Sequence, residues 1–198
     1  MMMRIFRLNN LVVAAAFAVL IATSSSVQAQ IEKPFNITGT GIAPQGLPLP
    51  GQDARPHWIV GNANHLGLHT GAGTLKTVSA DPQPNGTIAG NFGSVEDFVF
   101  TGANGDKLVC EFGRDESGEF VGDFELTIVD VLPDGSLIVE ALFIAEFVPV
   151  SDECTGKFAG VTGSWTMFAY TEPFLLGSTE PIIYGWDGTG SLTFQEKK

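Results

Sequence analysis

The chain has 198 residues, with 22 acidic side chains against 10 Lys and Arg and a net charge of −12 at pH 7. A surface of that sign repels polyanions, so no nucleic-acid partner and no binding to anionic lipid is expected. The 24 glycines and 11 prolines weigh against a helical fold and suit turns, bulges and tight bends.

The first segment reads as a targeting signal. Arg4 and Arg7 precede the almost unbroken apolar run 11–23, and Val27-Gln28-Ala29 offers a small-residue cleavage site before Gln30. This predicts a signal peptide over residues 1–29, removed on export to the periplasm or the extracellular medium. The run is short for a bilayer span and Ser24-Ser25-Ser26 follows it at once, so no membrane span is expected after cleavage. Gln30 in place of a cysteine argues against a lipoprotein. Cleavage leaves 169 residues (198 less 29), enough for one domain with a sizeable core.

Residues 30–56 contain the alternating segment Phe35–Gly41 and then a loop with prolines at 44, 48, 50 and 56. Too little chain precedes that loop for it to link two domains, so residues 30–56 and 57–198 are read as one domain. From His57 onward strands alternate with turn signals: Pro82–Gly86, Asn104-Gly105-Asp106, Asp115–Gly118, Pro133-Asp134-Gly135 and Asp187-Gly188. Asn104-Gly105 is a strong hairpin signal because both residues tolerate positive φ.

Two strands read clearly. Between Glu119 and Val129, Phe120, Gly122, Phe124, Leu126 and Ile128 share one face, with Asp123 and Glu125 on the other. Between Ser136 and Val148, Leu137, Val139, Ala141, Phe143, Ala145 and Phe147 form an inner face. Pro133-Asp134-Gly135 joins the two as a hairpin, and a turn centred on Asp134-Gly135 would set Asp123 opposite Glu146. Strands this long suit a coiled, closed sheet, which also removes exposed edges. The expected fold is therefore all-β, a single antiparallel barrel. Thr38-Gly39-Thr40-Gly41 and Thr70-Gly71-Ala72-Gly73 look alike, without amounting to a repeat.

Cys110 and Cys154 form an even pair in an exported chain, which predicts a disulfide; two buried free thiols are the alternative. Closing a loop of about 45 residues would contribute about 4 kcal/mol in the chain-entropy picture. His65 and His69 lie on extended chain, which sets them about 13 Å apart, too far for one ion. His57, beside Trp58, reads as a half-buried strand residue. No Gly-x-Ser-x-Gly elbow occurs. Asp115, Glu116 and Glu119 crowd one turn, but their spacing matches no calcium loop. No cofactor and no bound metal is expected, and catalytic residues are not identifiable.

The run Cys154–Trp165, with glycines at 156, 160 and 163, reads as a tight corner leading into a strand, with Phe158 anchoring the bend in the core. Three motifs together (Asn62–Gly67, Ala103–Leu108 and Thr155–Ser164) resemble a group of uncharacterised exported bacterial proteins. Thr155–Ser164 is in turn similar to the Gly-Thr-Gly-Lys/Arg-Phe-x-x-Ala-x-Gly run of dirigent proteins and its counterpart in allene oxide cyclases. That resemblance implies an eight-stranded antiparallel barrel. Cys154 departs from it, standing where glycine is usual, and no catalytic residue of either plant family can be matched onto this chain, so their activities do not transfer.

Two functions follow as expectations. The first is an exported, non-catalytic binding or structural module, with a small apolar ligand in the lumen or a partner at the surface. The alternative is an isomerase- or cyclase-like enzyme that shapes a small apolar substrate in the barrel cavity. The state of the lumen separates them from a purely structural role. Oligomeric state is left open.

Overall fold

A computed structural model describes residues 30–196; the signal peptide expected over 1–29 lies outside them. The chain forms β1 (Gln30–Ala43), β2 (Arg55–Ala63), β3 (Gly67–Thr77), β4 (Asp81–Pro82), β5 (Thr87–Gly93), β6 (Phe98–Gly102), β7 (Lys107–Phe112), β8 (Gly122–Val131), β9 (Leu137–Pro149), β10 (Thr162–Thr171), β11 (Phe174–Leu175) and β12 (Ile182–Gln195), with one 3-10 turn at Gly156–Phe158. Every strand pairing is antiparallel. Among the described residues no helix is long and apolar enough to cross a membrane.

The pairings close on themselves. β3 pairs with β6 along its first half and with β5 at its end, and β9 pairs with both β7 and β8. β5 and β6 are thus two halves of one bent stave, and β7 and β8 two halves of the next. The path β1–β2–β3–(β5/β6)–(β7/β8)–β9–β10–β12 returns to β1, a ring of eight staves within a 12-stranded sheet. Neighbouring staves are also consecutive in sequence, apart from the closing β12–β1 pair.

Alternation in the sequence becomes inside and outside of this ring. Along β9, Val139, Ala141, Phe143, Ala145 and Phe147 are buried while Glu140 and Glu146 face solvent. The hairpin 132–136 closes with Gly135 N–H donating to Leu132 O at 2.9 Å. It centres on Asp134, since Val131 faces Leu137, and a bulge between Ile128 and Asp130 takes up one more residue. Asp123 therefore lies opposite Ile144, and Glu146 opposite Thr166 on β10, so the carboxylate pair expected from the sequence does not form. Ile128 stays opposite Val139, just before the bulge, and is partly exposed there.

The lumen is filled by a division of labour between the two sides of the ring. β6, β7, β9 and β10 send in Phe98, Phe100, Phe112, Phe147 and Trp165, with Phe147 stacked on Phe112 (4.8 Å, 9° between planes) and on Trp165 (5.0 Å, 14°). β1, β2, β3 and the second half of β12 answer with glycine. A Cβ on Gly73 would fall 2.3 Å from the Phe98 ring, one on Gly41 2.1 Å from the Tyr184 ring, and one on Gly190 2.5 Å from the Trp165 backbone. The look-alike segments around Gly39-Thr40-Gly41 and Gly71-Ala72-Gly73 are two uses of this solution. Gly188, expected at a turn, instead sits mid-strand in β12, where a Cβ would meet Trp165 at 2.9 Å.

Substituting Gly41 by alanine overpacks the lumen and is expected to cost about 1–3 kcal/mol, whereas Gly185→Ala, on the outer face with its nearest neighbour at 3.7 Å, should change stability by less than about 0.5 kcal/mol. Urea denaturation of the two variants checks this; equal effects would contradict the lumen account.

Candidate functional site

One end of the ring is closed by the first sequence corner. Phe158 and Val161 are fully buried there, with the Phe158 ring 5.8 Å from Phe194. Gly156, Gly160 and Gly163 take φ of 64°, 73° and 109°, in the region that favours glycine. Asn104, Gly105 and Asp106 form the β6–β7 turn, with Asp106 N–H donating to Asn104 Oδ1 at 3.1 Å. The two turns meet. Thr155 N–H donates to Lys107 O at 2.9 Å, Lys107 N–H donates to Thr155 Oγ1 at 3.1 Å, and a Cβ on Gly156 would overlap the Asp106 carboxylate at 1.7 Å. The two turns together close this end of the ring.

The expected disulfide is absent. Cys110 and Cys154 are both free and buried. The Cys154 thiol is held by the main chain of Val109 instead, accepting from Val109 N–H at 3.3 Å and donating to Val109 O at 3.4 Å. Burial pushes both thiols up, which leaves them protonated and unreactive.

The two histidines of the 62–69 segment part company. His65 lies in the β2–β3 turn at φ 67° with Nε2 3.1 Å from Pro34 O, while His69 points into the lumen with Nδ1 3.0 Å from Gly67 O. Asp115 serves its own turn, accepting from Ser117 Oγ and from the N–H groups of Ser117 and Glu119.

The opposite end of the ring carries the site. Residues 44–54, the proline-rich loop, cross this end as a strap. Arg55 ties the strap down: its guanidinium donates to Gln45 O, to Leu47 O at 3.1 Å and to Gln52 Oε1 at 2.9 Å. Beneath it is a narrow apolar cavity with about 50 Å³ of room for the centre of a water-sized sphere. Leu47 and Pro48 close it from above, Phe92, Phe98, Phe112, Phe143 and Phe147 from within, and His57, Tyr184 and Trp186 from the side. A second space of about 200 Å³ lies across Leu47, Pro48 and Phe143, bounded by Ile88, Phe124, Leu126 and Leu176. The strap is the partition between the two.

His57 and Tyr184 meet although 127 residues separate them, with Nδ1 and Oη 2.8 Å apart. The cause is local. Both point inward, from β2 and β12, and the strand between them presents Gly41, whose missing side chain lets the Tyr184 ring lie across β1. The His57 ring packs edge-on to Phe98 at 5.1 Å and leans on Phe112 at 5.7 Å. His57 as a whole is half-buried, because its main chain is near the mouth, but Nε2 is fully enclosed and has no hydrogen-bond partner. Burial lowers the His57 pKa to about 4 and raises the Tyr184 phenol well above its ordinary range, so both are neutral at pH 7. The indole N–H of Trp186 is likewise buried and unpartnered.

Sequence reasoning placed His57 on a strand and missed its partner. Its alternation with Ile59 marks an inward position, but nothing local connects it to Tyr184 or to the strap held by Arg55. Comparison of the chain with protein-family models, with curated proteins and with solved structures finds no match.

Two outcomes are expected. Alkylation after denaturation without reductant should label two thiols, and alkylation of the folded protein none; a mass two hydrogens short of the dithiol would contradict this. The lowered pKa of His57 also sets a sign. The unfolded chain takes up its proton near pH 6.5 and the folded one only near 4, so the His57 contribution is intact above 6.5 and is lost as pH falls toward 4. The loss amounts to about 3 kcal/mol at most. Urea midpoints should fall more steeply over that window in the wild type than in His57→Phe; parallel curves would contradict it.

Proposed function

We propose that the protein is an exported, non-catalytic binding module that holds a small, largely apolar ligand beneath the strap of an allene oxide cyclase/dirigent-like ring. The observation that carries this reading is the unequal filling of the lumen. Its far end is packed solid by Phe158, Val161 and Trp165, while the strap-covered end keeps an apolar cavity with one polar pair at its wall. Ligand sites have this form, concave and mostly apolar with few converging polar groups. A space for sphere centres of about 50 Å³ suits a few waters or one ring-sized molecule. The neighbouring space behind Leu47 and Pro48 is available to a longer ligand if the strap shifts. Export rests on the signal at residues 1–29 and agrees with the acidity of the chain.

Native mass spectrometry of the protein purified from its own host tests this. One small molecule is expected per chain, retained by the wild type and lost from Ala169→Phe, which fills the cavity from β10. A wild-type mass equal to that of the bare polypeptide would argue for a structural role.

A further inference from the structure

The cavity carries a hydrogen-bonding pattern as well as a shape, and both arrangements of its polar pair keep a donor to spare. The indole N–H of Trp186 can only donate, and it lies buried without a partner. The His57–Tyr184 pair also has one hydrogen left to give in either arrangement. If the phenol donates to Nδ1, the remaining hydrogen is on Nε2. If Nδ1–H donates to the phenol oxygen, the remaining hydrogen is the phenol's own and Nε2 is left as an acceptor. The other polar groups of the lining are occupied: Thr171 Oγ1 accepts from Ala141 N–H at 2.9 Å, and Arg55 is bound to the strap carbonyls and to Gln52. Both groups border the same apolar space, and neither His57 Nε2 nor the Trp186 indole N–H has a hydrogen-bond partner among the described residues, a costly state for a buried donor unless something accepts from it; His69 Nε2, on a ring 6.1 Å from that of Trp186, is unpartnered as well.

We infer that the cavity selects an uncharged, ring-sized ligand bearing an accepting oxygen, a carbonyl or an ether, which takes its hydrogen bond from the His57–Tyr184 pair with the Trp186 indole as second donor. This rests on the binding-module reading and sharpens it. An anionic ligand is disfavoured, because Arg55 in the lining is engaged by Gln45 O, Leu47 O and Gln52, and the surrounding phenylalanine rings leave a buried charge without solvation. A pure hydrocarbon fits the shape but leaves both donors unanswered. The wall of phenylalanine edges and faces favours an aromatic ring.

Isothermal titration with three molecules of matched shape separates the terms: acetophenone, isopropylbenzene (a methyl in place of the oxygen) and benzoate. Acetophenone should bind about tenfold or more tighter than isopropylbenzene, and benzoate should not bind measurably. In His57→Phe the preference for acetophenone should shrink to about threefold or less. Trp186→Phe gives the same reading if His57→Phe does not fold, judged by far-ultraviolet circular dichroism. Equal binding of acetophenone and isopropylbenzene would overturn the donor inference and leave the binding module standing. Benzoate as the tightest of the three would overturn the uncharged class. Binding of none would overturn the binding module as well.

Discussion

A closed ring of eight staves encloses a volume that its own side chains have to fill, and here that is done by laying aromatic rings on glycine. Phe98 rests over Gly71 and Gly73, Trp165 over Gly188 and Gly190, Tyr184 over Gly41. A Cβ on Gly41, Gly71, Gly73 or Gly188 would displace a ring, and one on Gly190 would run into the neighbouring strand's backbone. Small barrels commonly set large residues against small ones, because a lumen lined by large side chains on all sides cannot close. The stacked run Phe112–Phe147–Trp165 then forms a rigid spine through the molecule.

The cavity end follows from the same constraint. At the far end the corner 155–163 and the turn 103–106 lock together and plug the ring. At the near end β1 leaves the sheet at Ala43, and the strap it becomes spans the mouth without filling the space below. The absence of a side chain at Gly41 allows Tyr184 to reach His57, so a packing device also builds the one polar pair of the cavity. Its enclosure by phenylalanine keeps the imidazole neutral and leaves Nε2 without a partner. The site is in this sense a residue of incomplete packing, with its polar groups confined to one wall.

The legible parts of the sequence were those governed by neighbours. The inward faces of β8 and β9 showed as period-two alternation, since each strand has one side in the lumen, and Asn104-Gly105 and Pro133-Asp134-Gly135 marked their turns by positive φ. Gly188 misled because glycine has two uses: it looks the same whether the backbone needs its conformational freedom or a ring needs its space. The Asp123–Glu146 pairing failed through a one-residue difference in the turn centre and a one-residue bulge, neither of which composition encodes. The cysteines were legible as neighbours across the fold, but not which group each thiol would face; Cys154 is taken by the backbone of Val109. His57 and Tyr184 were out of reach for a different reason, since only closure of the β12–β1–β2 side of the ring brings them together.

His57 sits neutral in an apolar cavity with Nδ1 on Tyr184 and Nε2 enclosed without a protein partner. Long-range ¹H–¹⁵N correlation of the histidine rings across a pH titration tests it directly. His57 is expected to stay neutral to about pH 5, Tyr184→Phe to move its Nδ1 resonance, and acetophenone to move the resonance of Nε2 or of the Tyr184 hydroxyl. A His57 ring that titrates near its ordinary value of 6.5 and ignores Tyr184→Phe would contradict it.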